Sequence, residues 1–235
     1  MPLRRGLAVL DKIFFPPAKL TLPDQFIPVA QRYGLMPELT RWVVAQACAD
    51  NARLIARGLL DVPVAVNVGA DAFYDDGFLA MLERSFQASG LPRQRLEIEI
   101  TEDVAMSDLE RATQRSRELH AAGIHLAMDD FGTGYSSLGR LKSLRFHKLK
   151  IDRSFVLELP GAAADHEIIR AIVSLARALG MRVVAEGIET HEQLAILREE
   201  GCDDGQGQWL AAPLPIAQLL ELAAYPDYVS LPSPA

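Results

Sequence analysis

The chain has 235 residues, is 49% apolar, and sets 31 acidic against 24 basic side chains for a net charge of −7. That apolar share is too high for disorder and sufficient for one large core, and α/β barrels of this size form single domains. The negative balance argues against a DNA or RNA polymer as partner, since polyanions need a basic surface, and no run approaches the ~20 apolar residues of a membrane span.

Residues 1–22 form an atypical opening, in which Arg4 and Arg5 precede only Leu7-Ala8-Val9-Leu10, shorter than a secretory apolar region. From residue 37 helix and strand alternate. Leu39, Val43, Val44, Ala47, Leu54 and Ile55 recur at helical spacing from Pro37 to Arg57, with the proline suited to the first turn. Strand 62–68 follows, then a helix ending near Gly90, strand 95–101, a helix from Asp108 to Gly123, and strand 125–129. A short helix follows Ser136, then strand 148–152, a helix from Asp165 to Gly180, strand 182–186, helix 191–200, a last strand over 204–209 and a closing helix over 216–225. Gly90, Gly123, Gly180 and Gly201 stand where helices should stop. Residues 1–225 read as a single domain, and 226–235 as a proline-rich tail. Cys48 and Cys202 make neither a disulfide framework nor a metal motif, so a reducing cytoplasm is expected.

This alternation implies parallel strands joined by crossovers. Six strands after residue 60 and one before make seven, one short of a closed eight-stranded barrel. A doubly wound open sheet is the competitor. The barrel is favoured because polar residues end nearly every strand, where barrels place their chemistry, instead of gathering at one switch point.

Those strand ends carry Asn67, Glu99, Asp129 and Asp130, Lys150, Glu186 and Gln206. Glu97 and Glu99 alternate with isoleucines, so both acids share one face. Adjacent Asp129 and Asp130 repel, which raises a pKa or recruits a divalent cation. With Asn67 the donors are all oxygens, suiting Mg²⁺ or Mn²⁺ better than zinc. An ammonium such as Lys150 can stabilise phosphate charge or steer a water whose proton a carboxylate such as Glu186 accepts, and paired cations would make a phosphoryl-ester hydrolase. Each residue also has a plainer reading. Asp-Asp-Phe-Gly-Thr-Gly alone is a turn, Glu99 a solvated or ion-paired strand residue, Lys150 a surface lysine on an edge strand, and Glu186 a polar strand terminus. Met128 and Phe131 read as core, and His125, His147, His166 and His191 lack metal spacing. The set is more specific than any member, because independent turns would not place acids after successive strands.

The chain resembles the EAL family of bacterial cyclic di-GMP phosphodiesterases from about Pro23 to Pro215. The resemblance is carried by Asp24-Gln25-Phe26-Ile27-Pro28, Val66-Asn67-Val68, Glu99-Ile100-Thr101-Glu102, Asp129 through Leu138, Lys150-Ile151-Asp152, Ala185 through Thr190 and Gln206-Gly207. It implies a modified TIM-type (β/α)8 barrel with an antiparallel first strand. It also implies hydrolysis of cyclic di-GMP to linear pGpG with two ions of Mg²⁺ or Mn²⁺. By the same resemblance, Asn67, Glu99, Asp129, Asp130 and Glu186 match metal ligands, and Lys150 matches the lysine that holds the catalytic water. Glu186 is ligand or general base, Asp130 supports the second ion, and Glu189 is a second acid of the site. Gln206 and Asn67 match substrate contacts, Glu102 the anchor of the Asp129–Leu138 loop, and the 129–144 region a homodimer interface.

The chain departs from the family at its name-giving signature. Counting back from Phe26-Ile27-Pro28 puts Ala8-Val9-Leu10 where Glu-Ala-Leu belongs and Lys12-Ile13 where the family has Arg-Trp. A metal-ligating glutamate is therefore absent, and so is about a strand's worth of preceding sequence. Gln208-Trp209-Leu210 is a milder departure. Glu97 or Asp11 is a conceivable substitute ligand. Three outcomes follow: a phosphodiesterase with weakened activity, a receptor that binds cyclic di-GMP without cleaving it, or a protein-interaction scaffold that has lost the ligand.

Overall fold

The structure, a computed structural model, describes residues 7–8, 13–15, 19–21, 23–58, 61–132, 138–161 and 163–222. Strand β1 (Leu7–Ala8) is followed by the antiparallel pair β2 (Ile13–Phe15) and β3 (Lys19–Thr21), then α1 (Pro23–Arg32) and the long α2 (Met36–Ala56). Pro37 opens α2, and Val43, Val44, Ala47, Cys48, Asn51 and Leu54 form its buried stripe. Next come β4 (Val64–Asn67), α3 (Ala70–Phe73), α4 (Phe78–Ser89), β5 (Leu96–Thr101), α5 (Glu102–Ser107), α6 (Leu109–Ala121) and β6 (His125–Phe131). The chain continues through α7 (Leu138–Leu141), β7 (Lys148–Ile151), α8 (Arg153–Leu157), α9 (Ala163–Ala178), β8 (Arg182–Ala185), α10 (His191–Glu200), β9 (Asp204–Gly205) and α11 (Ile216–Leu222).

Seven strands form one sheet in the order β1-β4-β5-β6-β7-β8-β9, every neighbouring pair parallel. Each strand after β4 pairs with the next one along the chain, so the winding never reverses and there is no switch point. That excludes the doubly wound alternative and leaves a curled, TIM-like sheet. Among the described residues β1 and β9 do not pair with each other, in keeping with one strand too few for closure. The described edge strand β1 runs parallel to β4, with Leu7 opposite Val64. The antiparallel first strand implied by the family resemblance is thus not seen among the described strands of the sheet.

Alternation within the strands separates two environments. Leu96, Ile98 and Ile100 of β5 and Leu149 and Ile151 of β7 enter the apolar core beneath the helices. Glu97 and Glu99, with Lys148 and Lys150, take the other face and pair across β6. The helix limits follow local chemistry: Thr190 and Gln193 form a capping box at the start of α10, and left-handed Gly201 ends it.

The last strand is shorter than the expected 204–209. A Cβ on Gly207 would lie 2.1 Å from the Ile188 carbonyl oxygen, and the Trp209 amide donates to that same carbonyl at 3.0 Å. The chain therefore turns under the β8–α10 connection instead of extending the ladder. The helices α5 and α8 fall where the sequence pattern places no element.

Candidate active site

Lys150 sits on β7, a central strand, with 4% of its surface exposed. Its Nζ lies 2.8 Å from Glu99 Oε2, 3.0 Å from Asp129 Oδ1 and 2.7 Å from Glu186 Oε1. An ammonium has three donors, and three carboxylates from β5, β6 and the end of β8 take them. The surface-lysine and solvated-glutamate readings of Lys150 and Glu99 are thereby corrected, since both are buried partners on inner strands.

The charges do not balance. Glu99, Asp129, Asp130 and Glu186 surround a single ammonium. Burial pushes the Glu99 carboxyl up to about 7, against the pull of Lys150, with Asp129 and Glu97 adding to the rise. Glu186 is raised too, first by burial and then by Asp129, again against Lys150. Burial alone would lower the Lys150 pKa, but Glu99, Glu186 and Asp129 together outweigh it and raise it.

Asp129 and Asp130 are consecutive, and regular alternation would send them to opposite faces. The β6–β7 register shifts between Met128, opposite Leu149, and Phe131, opposite Ile151, so both aspartates face one residue of β7. This is a β-bulge, and Asp130 takes φ 54°, a left-handed conformation few side chains adopt. The result is that Asp129, Asp130 and Glu186 offer oxygens all within 4.8 Å of one another. A cluster with only carboxylate oxygens fits a hard divalent cation. Burial raises the Asp130 pKa, as do Asp129 and Asp152.

Asp152 belongs to the Lys150-Ile151-Asp152 motif, but sequence reasoning gave it no role in the site. Its carboxylate caps α8, accepting from the Ser154 amide at 3.0 Å, and its nearness helps raise the Asp130 pKa. Two signals were available: Lys150 and Asp152 stand two apart on a strand, and Asp-x-Ser is a capping pattern.

The buried Glu102 Oε2 accepts from the Gly132 amide at 3.1 Å, tying the first turn of α5 to the chain just after the bulge. Residues 133–137 lie outside the described residues, including most of the loop expected to depend on Glu102. Asn67 ends β4 opposite Glu99 in register, hence on the same face, and is exposed. Gln206 and Glu189 are exposed as well. The Gln206 backbone is fixed to Ala185 and Ile188, and the Glu189 amide donates to Gln193 Oε1. Neither side chain joins the cluster around Lys150. Glu97, the conceivable substitute ligand, lies two residues down the same strands from the Glu99–Lys150 pair, with its Oε1 on Lys148 at 2.8 Å. Asp11 lies outside the described residues.

A parallel, singly wound sheet with an oxygen-donor acidic cluster at the C-terminal ends of its strands defines a barrel-type α/β domain with an acidic mouth. The family model for the EAL domain matches residues 6–213, and the chain belongs to that family. It is 40% identical over 204 residues to the cyclic di-GMP phosphodiesterase NbdA of Pseudomonas aeruginosa, covering 86% of this chain and 26% of NbdA. The chain thus spans about a quarter of that relative. The solved cyclic di-GMP complex of the MucR phosphodiesterase superposes with a TM-score of 0.87 at 37% identity, covering 91% of this chain and 87% of that one. The EAL domain of FimX from Pseudomonas aeruginosa, bound to cyclic di-GMP, gives 0.79 at 26% identity over 88% of this chain and 82% of that one.

Proposed function

We propose that this domain is a cation-dependent phosphodiesterase that opens cyclic di-GMP to linear pGpG. The observation that carries the reading is the convergence of Glu99, Asp129 and Glu186 on Lys150, with Asp130 swung into the same cluster by the bulge. The activity carried in the names of NbdA and MucR supports the choice of substrate. Asp129, Asp130 and Glu186 would hold Mg²⁺ or Mn²⁺, with Glu99 and Asn67 completing the donor set. Two such ions supply Lewis-acid stabilisation of the charge that develops on the phosphodiester.

The remaining chemistry belongs to the chain. Lys150 and Glu186 are in direct contact at 2.7 Å, and a water would come to lie between ammonium and carboxylate once that contact opens. Glu186 takes its proton as the oxygen attacks phosphorus and the ribose 3′ oxygen leaves. Asp152 acts on Asp130 through its neighbouring charge, and Glu102 fixes the chain after the bulge. Gln206, exposed at the same end of the sheet, would meet the nucleotide, and Glu189 would serve as a second acid of the site. We further propose that the domain acts in the cytoplasm and pairs with a second copy through the 129–144 region. No helix among the described residues is long and apolar enough to cross a membrane.

A second reading, a receptor that binds cyclic di-GMP without cleaving it, is favoured by Ala8-Val9-Leu10 at the place of the Glu-Ala-Leu signature. Incubation with cyclic di-GMP and Mn²⁺, chromatography for pGpG and an equilibrium binding measurement separate the two. Turnover that disappears in Glu186→Ala is the expected result. Saturable binding without product selects the receptor.

A further inference from the structure

Lys150 uses all three of its donors on carboxylates, and two of those carboxylates, Asp129 and Glu186, belong to the group that could hold a cation. Asp129 Oδ1 is further engaged, accepting from the Asp130 amide at 3.1 Å. We propose that Lys150 is a built-in rival of the divalent cation: its ammonium draws on the same carboxylates and so sets how tightly the cation is held. The inference rests on the cation-dependent reading above and adds a role for Lys150 in tuning that affinity.

The physical ground is charge at close range. A cation drawn to Asp129, Asp130 and Glu186 must sit beside an ammonium 2.7 to 3.0 Å from two of them. The two positive charges repel in a site where little water screens them. Lys150 takes one lone pair of Glu186 Oε1, and Lys150 with the Asp130 amide takes both of Asp129 Oδ1, leaving a cation fewer sites on each carboxylate. Binding therefore either loosens Lys150 or uses only the remaining sites. Either route weakens the cation relative to a site without the ammonium. A loosened Lys150 regains a free donor, which is what holding a water requires.

The test is a titration of the whole chain, its Lys150→Met form and its Lys150→Gln form with Mn²⁺, counting free Mn²⁺ by electron paramagnetic resonance. Both variants are expected to bind Mn²⁺ at least about tenfold tighter than the natural chain. Their melting temperatures are expected to rise more on adding Mn²⁺. Equal or weaker binding by folded variants overturns the proposal and gives Lys150 the role of holding the ligands in place. A variant that unfolds alone is followed in excess Mn²⁺, where refolding supports the rivalry and persistent unfolding overturns it. If the natural chain binds no Mn²⁺, the cation-dependent reading falls and this inference with it. If it binds Mn²⁺ and the variants bind no tighter, only the rivalry falls.

Discussion

Two ionic layers lie one above the other along the same strands, and they differ in how their charges balance. In the lower layer Glu97 meets Lys148 at 2.8 Å and Arg182 meets Asp204 at 2.7 Å, two acids with two bases. In the upper layer Lys150 faces Glu99, Asp129 and Glu186, with Asp130 beside them. Glu97 and Glu99 stand two apart on β5, as Lys148 and Lys150 do on β7, so residue type and strand position do not distinguish the layers. Burial does not separate the two glutamates either, since Glu97 and Glu99 are both under 5% exposed. What differs is surplus negative charge, which folding alone gives no reason to assemble. The balanced layer reads as structure and the unbalanced one as chemistry.

The largest expected effect comes from breaking the upper layer. Lys150→Met should abolish pGpG formation and, without added divalent cation, cost about 3–5 kcal/mol of stability, because two buried carboxylates and a half-buried one lose their partner. Urea unfolding read beside product chromatography checks both. The lower layer sharpens the contrast. Glu97→Leu with Lys148→Met should stay within about 1–2 kcal/mol of the natural chain, since apolar replacement of a buried pair is often neutral. Turnover should hold within about threefold. A loss of activity as large as that of Lys150→Met would erase the distinction between the layers.

The same contrast explains what was legible in the sequence. Glu99 and Lys150 were legible because each stands in a strand whose alternation fixes its face, and the order of strands followed from the repeated helix–strand pattern. The grouping of Asp129 with Asp130 was read from their adjacency, but the device that turns both to one face was not legible. Alternation sends neighbours apart, and the bulge that reunites them depends on register against β7, a long-range fact. The part played by Asp152 was missed because it depends on Asp130 already being displaced. The end of β9 was misplaced because the contact that stops it, Gly207 against Ile188, lies between segments far apart in the local pattern.

The next effect is on pH dependence. Glu99 titrates near 7 in the fold against an ordinary 4.5, so between those values the folded chain holds a proton the unfolded chain has released. Stability should therefore fall as pH rises through that window. Glu99→Gln, measured by urea unfolding without divalent cation, should remove about 1–3 kcal/mol of that fall. His147 works the other way. Burial holds it down to about 4, and its Nδ1 accepts the Leu126 amide, so stability should fall as pH drops from 6.5 toward 4. His147→Phe should flatten that acid arm, and no member of the lower layer should move the response near pH 7.

The smallest stability effect is expected at the bulge. Asp130→Gly should raise stability by about 1 kcal/mol by relieving the left-handed backbone, while lowering turnover at least about tenfold through the lost carboxylate. Thermal melting and initial rates on one preparation check both signs, and a variant less stable than the natural chain would count against strain at this position.

The most direct test of the upper layer as a cation-binding catalytic mouth is anomalous diffraction from crystals soaked in Mn²⁺. A peak within coordinating distance of Asp129, Asp130 and Glu186 is the predicted result. Crystals in which Mn²⁺ scatters elsewhere, with Lys150 still bonded to Glu99, Asp129 and Glu186 and no density beside them, would contradict it.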